Sequence, residues 1–393
     1  MVATCTYATN LQHRTLDDFM LRILHTADFQ IGRVYSQFEP DDAAALFEAR
    51  FHAVEQLARL AAEQRVDAVL VAGDVFDAQT VSDKTIRRLA NSMQPYDGPW
   101  VLLPGNHDAA LAESVWTRVG RIGAFAPNVL ACLDASVHNV ADKFALLPAP
   151  LTQRHTYTDL TEWYGTAATP EGLPRIGLAH GCVQGVLPDN VDSANPIAAD
   201  RASTARLDYL ALGDWHGTKR IDDRTWYAGT PETDRFKAND SGQALLVTVD
   251  HPGAVPRVET LRIGRYRWTL LESRLSVVSD LDEALRALEA FGADDVVDFR
   301  VSGTCDLHVQ RRLQHALEAA RARLRALVHE AQSLVLEPTQ EDIEALHADG
   351  YVGEVLQALR AEQSGPKAQR ARDALIILAR MLDDPAHYPE RAA

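Results

Sequence analysis

The sequence predicts an α/β fold in which a two-sheet core is flanked by helices and followed by a small α+β domain and a helical C-terminal region. Two observations carry this prediction. In the first hundred residues, short strand-like hydrophobic runs alternate with segments of helical spacing. Acidic, amide and histidine side chains then follow the ends of several runs, where open α/β sheets bind ligands.

The N-terminal elements have a βαβαβ pattern. Asp41 and Asp42 precede a segment whose apolar residues recur at helical spacing, and Ser82 is a candidate N-cap for a second helix that reaches Ser92. The strand-like runs of this N-terminal part cover residues 21–27, 68–72 and 100–103. Two further runs, at residues 176–179 and 209–212, come later in the chain. This alternation predicts a sheet covered by helices.

The second half of the chain changes character after Asp214. We predict a β-meander there, with strands over residues 225–228, 243–249, 258–263 and 267–275. From Ser279 onwards the pattern predicts a small α+β domain, made of a helix over 281–291, a strand over 296–301 and a long helix over 307–330.

The last part of the chain is predicted to be helical from Pro338 onwards, with a break at residues 364–366. The first nineteen residues have neither helical nor strand periodicity, so we predict a disordered tail there. The predicted boundaries are 1–19 for the tail, 20–275 for the main domain, 276–340 for the α+β domain and 341–393 for the helical region.

The composition excludes several classes of protein. Of the 393 residues, 46% are hydrophobic and 24% are charged, as in an ordinary soluble globular protein. No stretch approaches the roughly 18 consecutive apolar residues of a membrane span. The four cysteines form no CxxC pair and have no regular spacing, which predicts a reduced, cytoplasmic setting. From the lack of an apolar span we expect no membrane partner. The net charge of −16 argues against binding nucleic acid through bulk electrostatics, but it does not exclude a nuclease with acidic metal ligands.

Five polar segments follow hydrophobic runs in the first 216 residues. They are Asp28-Phe29-Gln30, Gly73-Asp74-Val75-Phe76-Asp77, Gly105-Asn106-His107-Asp108, His180-Gly181 and Gly213-Asp214-Trp215-His216. Each alone has a structural interpretation, because Gly-Asp is common in turns and a single histidine at a strand end is often structural. At the carboxyl ends of adjacent strands, however, oxygen and imidazole donors converge on one crevice. The five segments together predict a two-metal hydrolytic site.

The residue types suggest a ligand set for two divalent ions. Asp74 fits a bridging carboxylate, because it follows a buried strand and lies in a glycine turn. The other ligands are Asp28 and His216, with the carbonyl of Gln30, for one ion, and Asn106, His180 and Asp214 for the second. Nitrogen and oxygen ligation without thiolate suits Mn²⁺, Mg²⁺, Fe or Zn²⁺, of which we favour Mn²⁺.

His107 and Asp108 form the predicted catalytic pair. His107 is adjacent to a ligand without being needed as one, so its imidazole is a candidate to protonate the leaving oxygen. In this interpretation Asp108 holds the ring in one tautomer. Asp77, three residues after the bridging acid, is a candidate for orienting a ligand.

At these residues the chain resembles the calcineurin-like metallophosphoesterases, whose pattern is D-x-H, G-D-x-x-D, G-N-H-D/E, H and G-H-x-H. It is most similar to their DNA-repair nuclease branch, the SbcD- and YhaO-type subunits, at residues 25–32 (HTADFQIG) and 227–232 (YAGTPE). The resemblance covers about residues 21–275. It implies a DNA exonuclease or endonuclease in DNA repair that works with an SbcC-like coiled-coil ATPase. It also implies a DNA-guiding capping domain at 276–340 and a partner-docking region at 341–393, and it leaves a homodimer open.

Two positions depart from the family pattern. Gln30 replaces the histidine of D-x-H, and Asp214 replaces the first histidine of G-H-x-H. Aspartate is a competent ligand that adds negative charge, so it would retune the metal preference without abolishing binding. Glutamine is a neutral and weaker donor, which leaves open how tightly the ion beside Asp28 and His216 is held.

Three functions compete on these observations. A phosphodiesterase acting on DNA ends is the leading hypothesis. A small-molecule phosphodiesterase or phosphatase fits the net acidity, but a minimal phosphatase has no need of the hundred or so residues (about 276–393) after the catalytic core. A catalytically impaired scaffold for the ATPase fits the two ligand changes, but His107 is retained beside Asn106.

Overall fold

The computed structural model describes residues 20–186, 194–337, 339 and 351–383. The predicted tail at 1–19 lies outside these ranges, as do residues 341–350 and 384–393 of the predicted helical region. The chain forms two compact units. The first holds the chain up to Asp234 together with Ala238–Arg265, and the second holds Arg235–Lys237 together with the chain from Tyr266.

Two six-stranded sheets form the core of the first unit. Its strands are β1 (Leu21–Thr26), β2 (Ala68–Val71), β3 (Trp100–Leu102), β4 (Val129–Ala131), β5 (His138–Val140), β6 (Phe144–Ala149), β7 (Arg175–His180), β8 (Cys182–Val183), β9 (Pro196–Ile197), β10 (Tyr209–Gly213), β11 (Lys219–Arg220), β12 (Thr225–Tyr227), β13 (Gln243–Val249) and β14 (Arg257–Arg262). One sheet has the order β14-β13-β1-β2-β3-β4, and the other has the order β11-β12-β10-β7-β6-β5. The predicted α/β fold with a two-sheet core is confirmed.

Hydrophobic clusters join the layers of the first unit. Its helices are α1 (Pro40–Glu63), α2 (Asp83–Met93), α3 (Val115–Ile122) and the short α4 (Arg201–Thr204). One cluster packs α1, α2 and α3 against the first sheet and includes Phe51 and Trp100. A second cluster contains residues of both sheets, such as Ile23 and Leu178. Strands β2 and β3 are buried on both faces and are continuous apolar runs, as is typical of parallel strands, whereas β1 is equally central but also contains Arg22, His25 and Thr26.

The predicted helix cap at Ser82 is confirmed. Ser82 precedes α2 in extended conformation, and its side-chain oxygen accepts a hydrogen bond of 3.1 Å from the backbone nitrogen of Thr85. This bond satisfies one of the amide groups that the first turn of a helix leaves free.

The β-meander predicted after Asp214 is wrong. Strand β12 pairs in parallel with β10 in the second sheet, whereas β13 pairs antiparallel with β1 in the first sheet. Only β13 and β14 form a hairpin of the predicted kind. The reason is burial: β13 has hydrophobic residues on both faces, so it occupies an inner position beside β1 and not an edge.

The second unit is a three-stranded parallel sheet with helices. Its elements are β15 (Arg267–Leu275), α5 (Val278–Glu289), β16 (Asp295–Cys305), α6 (Leu307–Arg323), β17 (Ala326–Leu336), α7 (Tyr351–Glu362) and α8 (Ala368–Asp383). The strand order is β15-β16-β17. The continuous part of this unit therefore starts at Tyr266, before the predicted boundary at residue 276, because β15 pairs with β16 along its full length.

Two further differences concern the end of the chain. The helix predicted over 307–330 ends at Arg323, because the residues from Ala326 onwards pair with β16 as a strand. Leu356 of α7 and Leu375 of α8 are buried in the same hydrophobic cluster as β16 and α6. The predicted docking role of residues 341–393 stays a prediction, but its described helices contribute to the core of the second unit. Within the described ranges, no helix has both the length and the apolar character needed to cross a bilayer.

Candidate metal centre

The loops that follow β1 and β2 carry two of the predicted ligands. These strands are parallel neighbours, so Asp28 and Asp74 lie at the same edge of the sheet. Their backbones are left-handed, with φ of 53° and 51°, a conformation that costs non-glycine residues about 1–3 kcal/mol. The two loops hold each other, since Asp28 N donates to Gly73 O at 3.0 Å and Gln30 N donates to Asp74 O at 2.9 Å. Such strain is typical of functional sites.

Three predicted ligands converge most closely. One ligand atom each of Asp28, Asp74 and His180 lies within 4.8 Å of the others, and all three side chains are buried. The Nε2 atom of His180 is 3.6 Å from Oδ1 of Asp74 and 3.6 Å from Oδ1 of Asp214. It is also 2.9 Å from Oδ1 of Asn106. The segments that follow β1, β2, β3, β7 and β10 thus meet at one place.

The contacts of the His180 ring are favourable only when a positive charge lies on or beside its Nε2 atom. Its Nδ1 lies 2.8 Å from the carbonyl oxygen of Ala72, which can only accept, so Nδ1 carries the hydrogen and Nε2 faces the site. An unprotonated Nε2 would then face the lone pairs of Asn106 Oδ1 at 2.9 Å. Burial alone would lower the pKa of His180, but Asp74, Asp214 and Asp28 raise it to about 9. A proton or a metal ion satisfies this arrangement.

The acidic residues carry the matching negative charge. Burial, together with the carboxylates of Asp74 and Asp214, raises the pKa of Asp28 to about 6, against the opposite influence of His216 and His180. Burial also raises the pKa of Asp214. Carboxylates forced together in a buried site resist ionisation unless a cation compensates them. The donor set of this site therefore fits divalent ions bound by oxygen and imidazole nitrogen.

The two polar atoms of the Gln30 side chain have different surroundings in this site. Its Nε2 donates a 2.7 Å hydrogen bond to Oδ2 of Asp74, and the side chain is fully buried. Its Oε1 is buried without a hydrogen-bond partner in the described part of the chain. A buried amide oxygen without a partner is unfavourable unless a cation binds it. Gln30 therefore supports the carboxylate of Asp74 with one atom and offers a free oxygen with the other.

His216 is oriented by a residue that the sequence analysis missed. Its Nδ1 lies 3.0 Å from Oδ2 of Asp234, which is 2% exposed. A carboxylate accepting from one ring nitrogen leaves the other nitrogen for a metal, the usual arrangement behind metal-binding histidines. Asp234 follows the last predicted ligand by eighteen residues and lies two residues after the segment 227–232 (YAGTPE), which is the signal in the sequence that could have drawn attention to it.

His107 lies at the rim of the site with about a third of its side chain exposed. Its Nδ1 is 2.9 Å from the carbonyl oxygen of Asp77, so Nδ1 carries a hydrogen and the other ring nitrogen faces the site. That Nε2 is 3.9 Å from Oδ2 of Asp74. Asp77 therefore orients His107 through its backbone, where the sequence analysis expected a side-chain role.

Asp108 does not orient His107, in contrast to the expectation. It is fully buried, and its carboxylate accepts from Gly105 N at 2.6 Å and from Phe76 N at 3.1 Å. Burial and the charge of Asp74 raise the pKa of Asp108 to about 8, although both backbone amides lower it. These bonds tie the loop after β3 to the loop after β2. Asp108 therefore supports the site by holding the backbones of these two loops together.

Gly105 leaves space for Asp74, which leads to a prediction. A Cβ atom at Gly105 would overlap Oδ1 and the backbone nitrogen of Asp74. We expect Gly105→Ala to weaken Mn²⁺ binding at least about 10-fold, because a displaced ligand no longer fits the ion. Isothermal titration calorimetry measures the affinity. Gly120→Ala is the control, because nothing lies within 4 Å of its added Cβ; weakened Mn²⁺ binding in the control as well would contradict the explanation.

The protonation of His180 predicts that metal binding depends on pH. With a pKa of about 9, the metal-free imidazole is protonated at neutral pH and must release one proton to bind an ion. Affinity should therefore rise about 10-fold per pH unit between the pKa of Asp28, about 6, and that of His180, about 9. Below the lower value Asp28 must also lose a proton, so the dependence should steepen. Titration calorimetry in buffers of different ionisation enthalpy measures the released protons, and a pH-independent affinity would contradict this prediction.

Comparison with known proteins gives relatives at modest sequence identity. The chain is 27% identical over 286 residues to the D component of the nuclease SbcCD of Escherichia coli K12, covering 62% of this chain and 68% of that protein. It is 25% identical over 244 residues to the DNA double-strand break repair protein Mre11 of Methanosarcina acetivorans, covering 60% of this chain and 38% of that one. The chain thus spans well under half the length of the archaeal relative.

A solved structure and a family profile also match the chain. The structure of TT1561 of Thermus thermophilus aligns with 62% of this chain and 99% of that chain, at 12% identity and a TM-score of 0.39. The profile described as Calcineurin-like phosphoesterase matches residues 21–248, more than half of the chain, and this range contains every ligand candidate described above. The chain belongs to the calcineurin-like phosphoesterase family.

Proposed function

We propose that the protein is a two-metal phosphodiesterase that cleaves DNA in DNA repair, as the nuclease subunit of a complex with an SbcC-like coiled-coil ATPase. The observation that carries this proposal is the convergence of Asp28, Asp74 and His180 at one strand edge, with ligand atoms within 4.8 Å. The similarity to an E. coli protein named as part of a nuclease supports DNA as the substrate. We also propose a cytoplasmic setting.

The ligand set divides into two groups around one carboxylate. Asp28, His216 and the free Oε1 of Gln30 would hold one ion, and Asn106, His180 and Asp214 would hold the second, with Asp74 between them. Bound there, divalent ions, first of all Mn²⁺, would polarise the phosphoryl oxygens and lower the pKa of an attacking water molecule. Five oxygen donors against two imidazoles make this a hard ligand set, which favours Mn²⁺ or Mg²⁺ over softer ions.

The protein's own groups perform the remaining steps. Asp74 accepts hydrogen bonds from His107 N at 2.9 Å and from Gln30 Nε2 at 2.7 Å, so both carboxylate oxygens have defined directions. His107 is the proposed general acid. Its Nδ1 is held by the carbonyl of Asp77, which leaves Nε2 to protonate the departing oxygen of the cleaved ester. Its partial exposure lets a polymer substrate reach it from solvent.

Two arginines between residues 257 and 274 are already paired with carboxylates. Arg257 pairs with Asp250 at 2.6 Å, and Arg267 pairs with Asp295 at 2.8 Å. Charges that are already neutralised contribute little to binding a phosphate backbone. In this proposal the metal centre attracts the scissile phosphate, and these two arginines add little to that attraction.

The test compares three substrates with the purified full chain and Mn²⁺. We expect cleavage of end-labelled duplex DNA and of bis(p-nitrophenyl) phosphate, and little hydrolysis of the monoester p-nitrophenyl phosphate. Preference for the monoester would overturn the phosphodiesterase proposal in favour of a phosphatase. Two bound Mn²⁺ ions without hydrolysis of any substrate would instead support a scaffold. Co-expression with a coiled-coil ATPase of the same organism tests the partner, and failure to co-purify would contradict the complex.

A further inference from the structure

We infer that Arg50 is a positioning residue for the ion held by Asp28, Gln30 and His216, and that it acts through Phe29 and Asp234. The inference rests on the proposed two-metal site. It concerns a buried network that lies behind the ligands and that contains none of the predicted site residues except His216.

Arg50 is buried in α1, with 2% of its surface exposed. Its Nη1 donates to the carbonyl oxygen of Phe29 at 2.8 Å, and its Nε donates to the hydroxyl of Tyr35 at 2.8 Å. Nη1 also lies 3.4 Å from Oγ1 of Thr230. The backbone nitrogen of Thr230 in turn donates to the carbonyl of His216 at 3.1 Å. The guanidinium group of Arg50 thus contacts two segments that are separate in the sequence, one at Phe29 and Tyr35 and the other at Thr230.

The Phe29 contact controls the first pair of ligands. Phe29 lies between Asp28 and Gln30, whose φ angles of 53° and 48° are both left-handed. A backbone in this conformation keeps its shape only where surrounding contacts hold it. The hydrogen bond from Arg50 fixes the carbonyl between the two strained residues. Together with the bonds from Asp28 N to Gly73 O and from Gln30 N to Asp74 O, it fixes the direction in which both side chains enter the site.

The Asp234 contact controls the third ligand. Oδ2 of Asp234 lies 3.0 Å from Nδ1 of His216, 3.2 Å from Nη1 of Arg33 and 3.5 Å from Nη2 of Arg50. Asp234 is 2% exposed, so its charge needs buried cations beside it. Arg33 and Arg50 supply them. With its charge balanced in this way, the carboxylate is held in place as an acceptor for His216.

The second ion is supported by different groups. His180 is oriented by the carbonyl of Ala72, and the loop of Asn106 is shaped by the bonds of Asp108 to Gly105 and Phe76. A defect at Arg50 should therefore weaken one ion selectively. Lysine cannot replace Arg50, because one ammonium nitrogen cannot occupy the three positions of a planar guanidinium.

The experiment titrates the full chain with Mn²⁺ alone and compares wild type with Arg50→Lys and Asp234→Asn. We expect two ions in the wild type. In Arg50→Lys we expect one ion to bind about 10- to 100-fold more weakly, the usual effect of losing a residue behind a metal ligand, while the other changes less than about 3-fold. Manganese electron paramagnetic resonance should then show isolated ions at concentrations where the wild type shows a coupled pair. Asp234→Asn keeps an oxygen acceptor for His216, so it should weaken the same ion less than Asp234→Ala does.

Arg175→Lys is the matched control. Arg175 donates to the carbonyls of Tyr164, Ala167 and Ala205, but it starts β7 at the end opposite to His180. The Arg175→Lys variant should have a lower melting temperature than the wild type and should bind both ions with unchanged affinity. Equal weakening of both ions in Arg50→Lys, or unchanged binding of both, would overturn the inference while leaving the two-metal proposal intact. A wild type that binds fewer than two ions would overturn the two-metal proposal itself.

Discussion

Replacing Asp74 by asparagine should abolish phosphodiester hydrolysis, with a loss of roughly 10³-fold or more, since an ion's charge stabilisation amounts to several kcal/mol. The proposed bridge loses its negative charge. One of its oxygens also becomes an NH₂ group facing a donor, either His107 N or Gln30 Nε2. Both ions should therefore bind more weakly. Initial rates with Mn²⁺ and metal titrations of the variant measure the two effects.

Asp208→Asn is the matched control for this experiment. Asp208 is also a buried aspartate of the first unit that accepts two backbone hydrogen bonds, from Arg175 N at 2.7 Å and from Gly253 N at 2.5 Å. It is not among the candidate ligands. Its replacement should lower the melting temperature without changing metal binding. Near-normal hydrolysis by Asp74→Asn would show that the catalytic site lies elsewhere.

Replacing His107 by alanine should separate proton transfer from metal binding. We expect two ions to remain bound, while turnover on DNA falls by roughly 10²- to 10⁴-fold, the usual range for losing a general acid. The loss should be much smaller with bis(p-nitrophenyl) phosphate, because nitrophenolate leaves readily without protonation. Rates on the two substrates and a Mn²⁺ titration measure this. If one ion were lost, His107 would be a ligand and its proposed role as an acid would be refuted.

The parts of the fold that were predicted correctly depend on nearby residues. The buried strands β2 and β3 are continuous apolar runs, and such a run predicts a strand without knowledge of its neighbours. The cap at Ser82 depends on a residue three positions away. The order of the ligand candidates follows in the same way, because each comes directly after such a run. These short motifs predicted the family, and the match of the family profile to residues 21–248 confirms that prediction.

The wrong predictions concern partners that are distant in the chain. Alternation predicted strands after Asp214, but it could not tell that β13 would lie beside β1 and β12 beside β10. The segment from Ala326 has a composition compatible with a helix, and pairing with β16 made it a strand. In this segment the free energy of burial and of the hydrogen-bonded ladder outweighs the local preference for a helix.

The sequence by itself determined the types of the candidate ligands, their order and the strand ends that carry them, because hydrophobic runs and turn residues act locally. The tertiary structure decided what supports those ligands. Asp108 binds backbone amides and not the ring of His107, the carbonyl of Asp77 holds that ring, and Asp234 holds His216. Arg50 reaches Phe29 and Thr230 from a helix distant from both in sequence. Such contacts depend on which buried groups become neighbours when helices and sheets pack, and residue spacing carries no information about that.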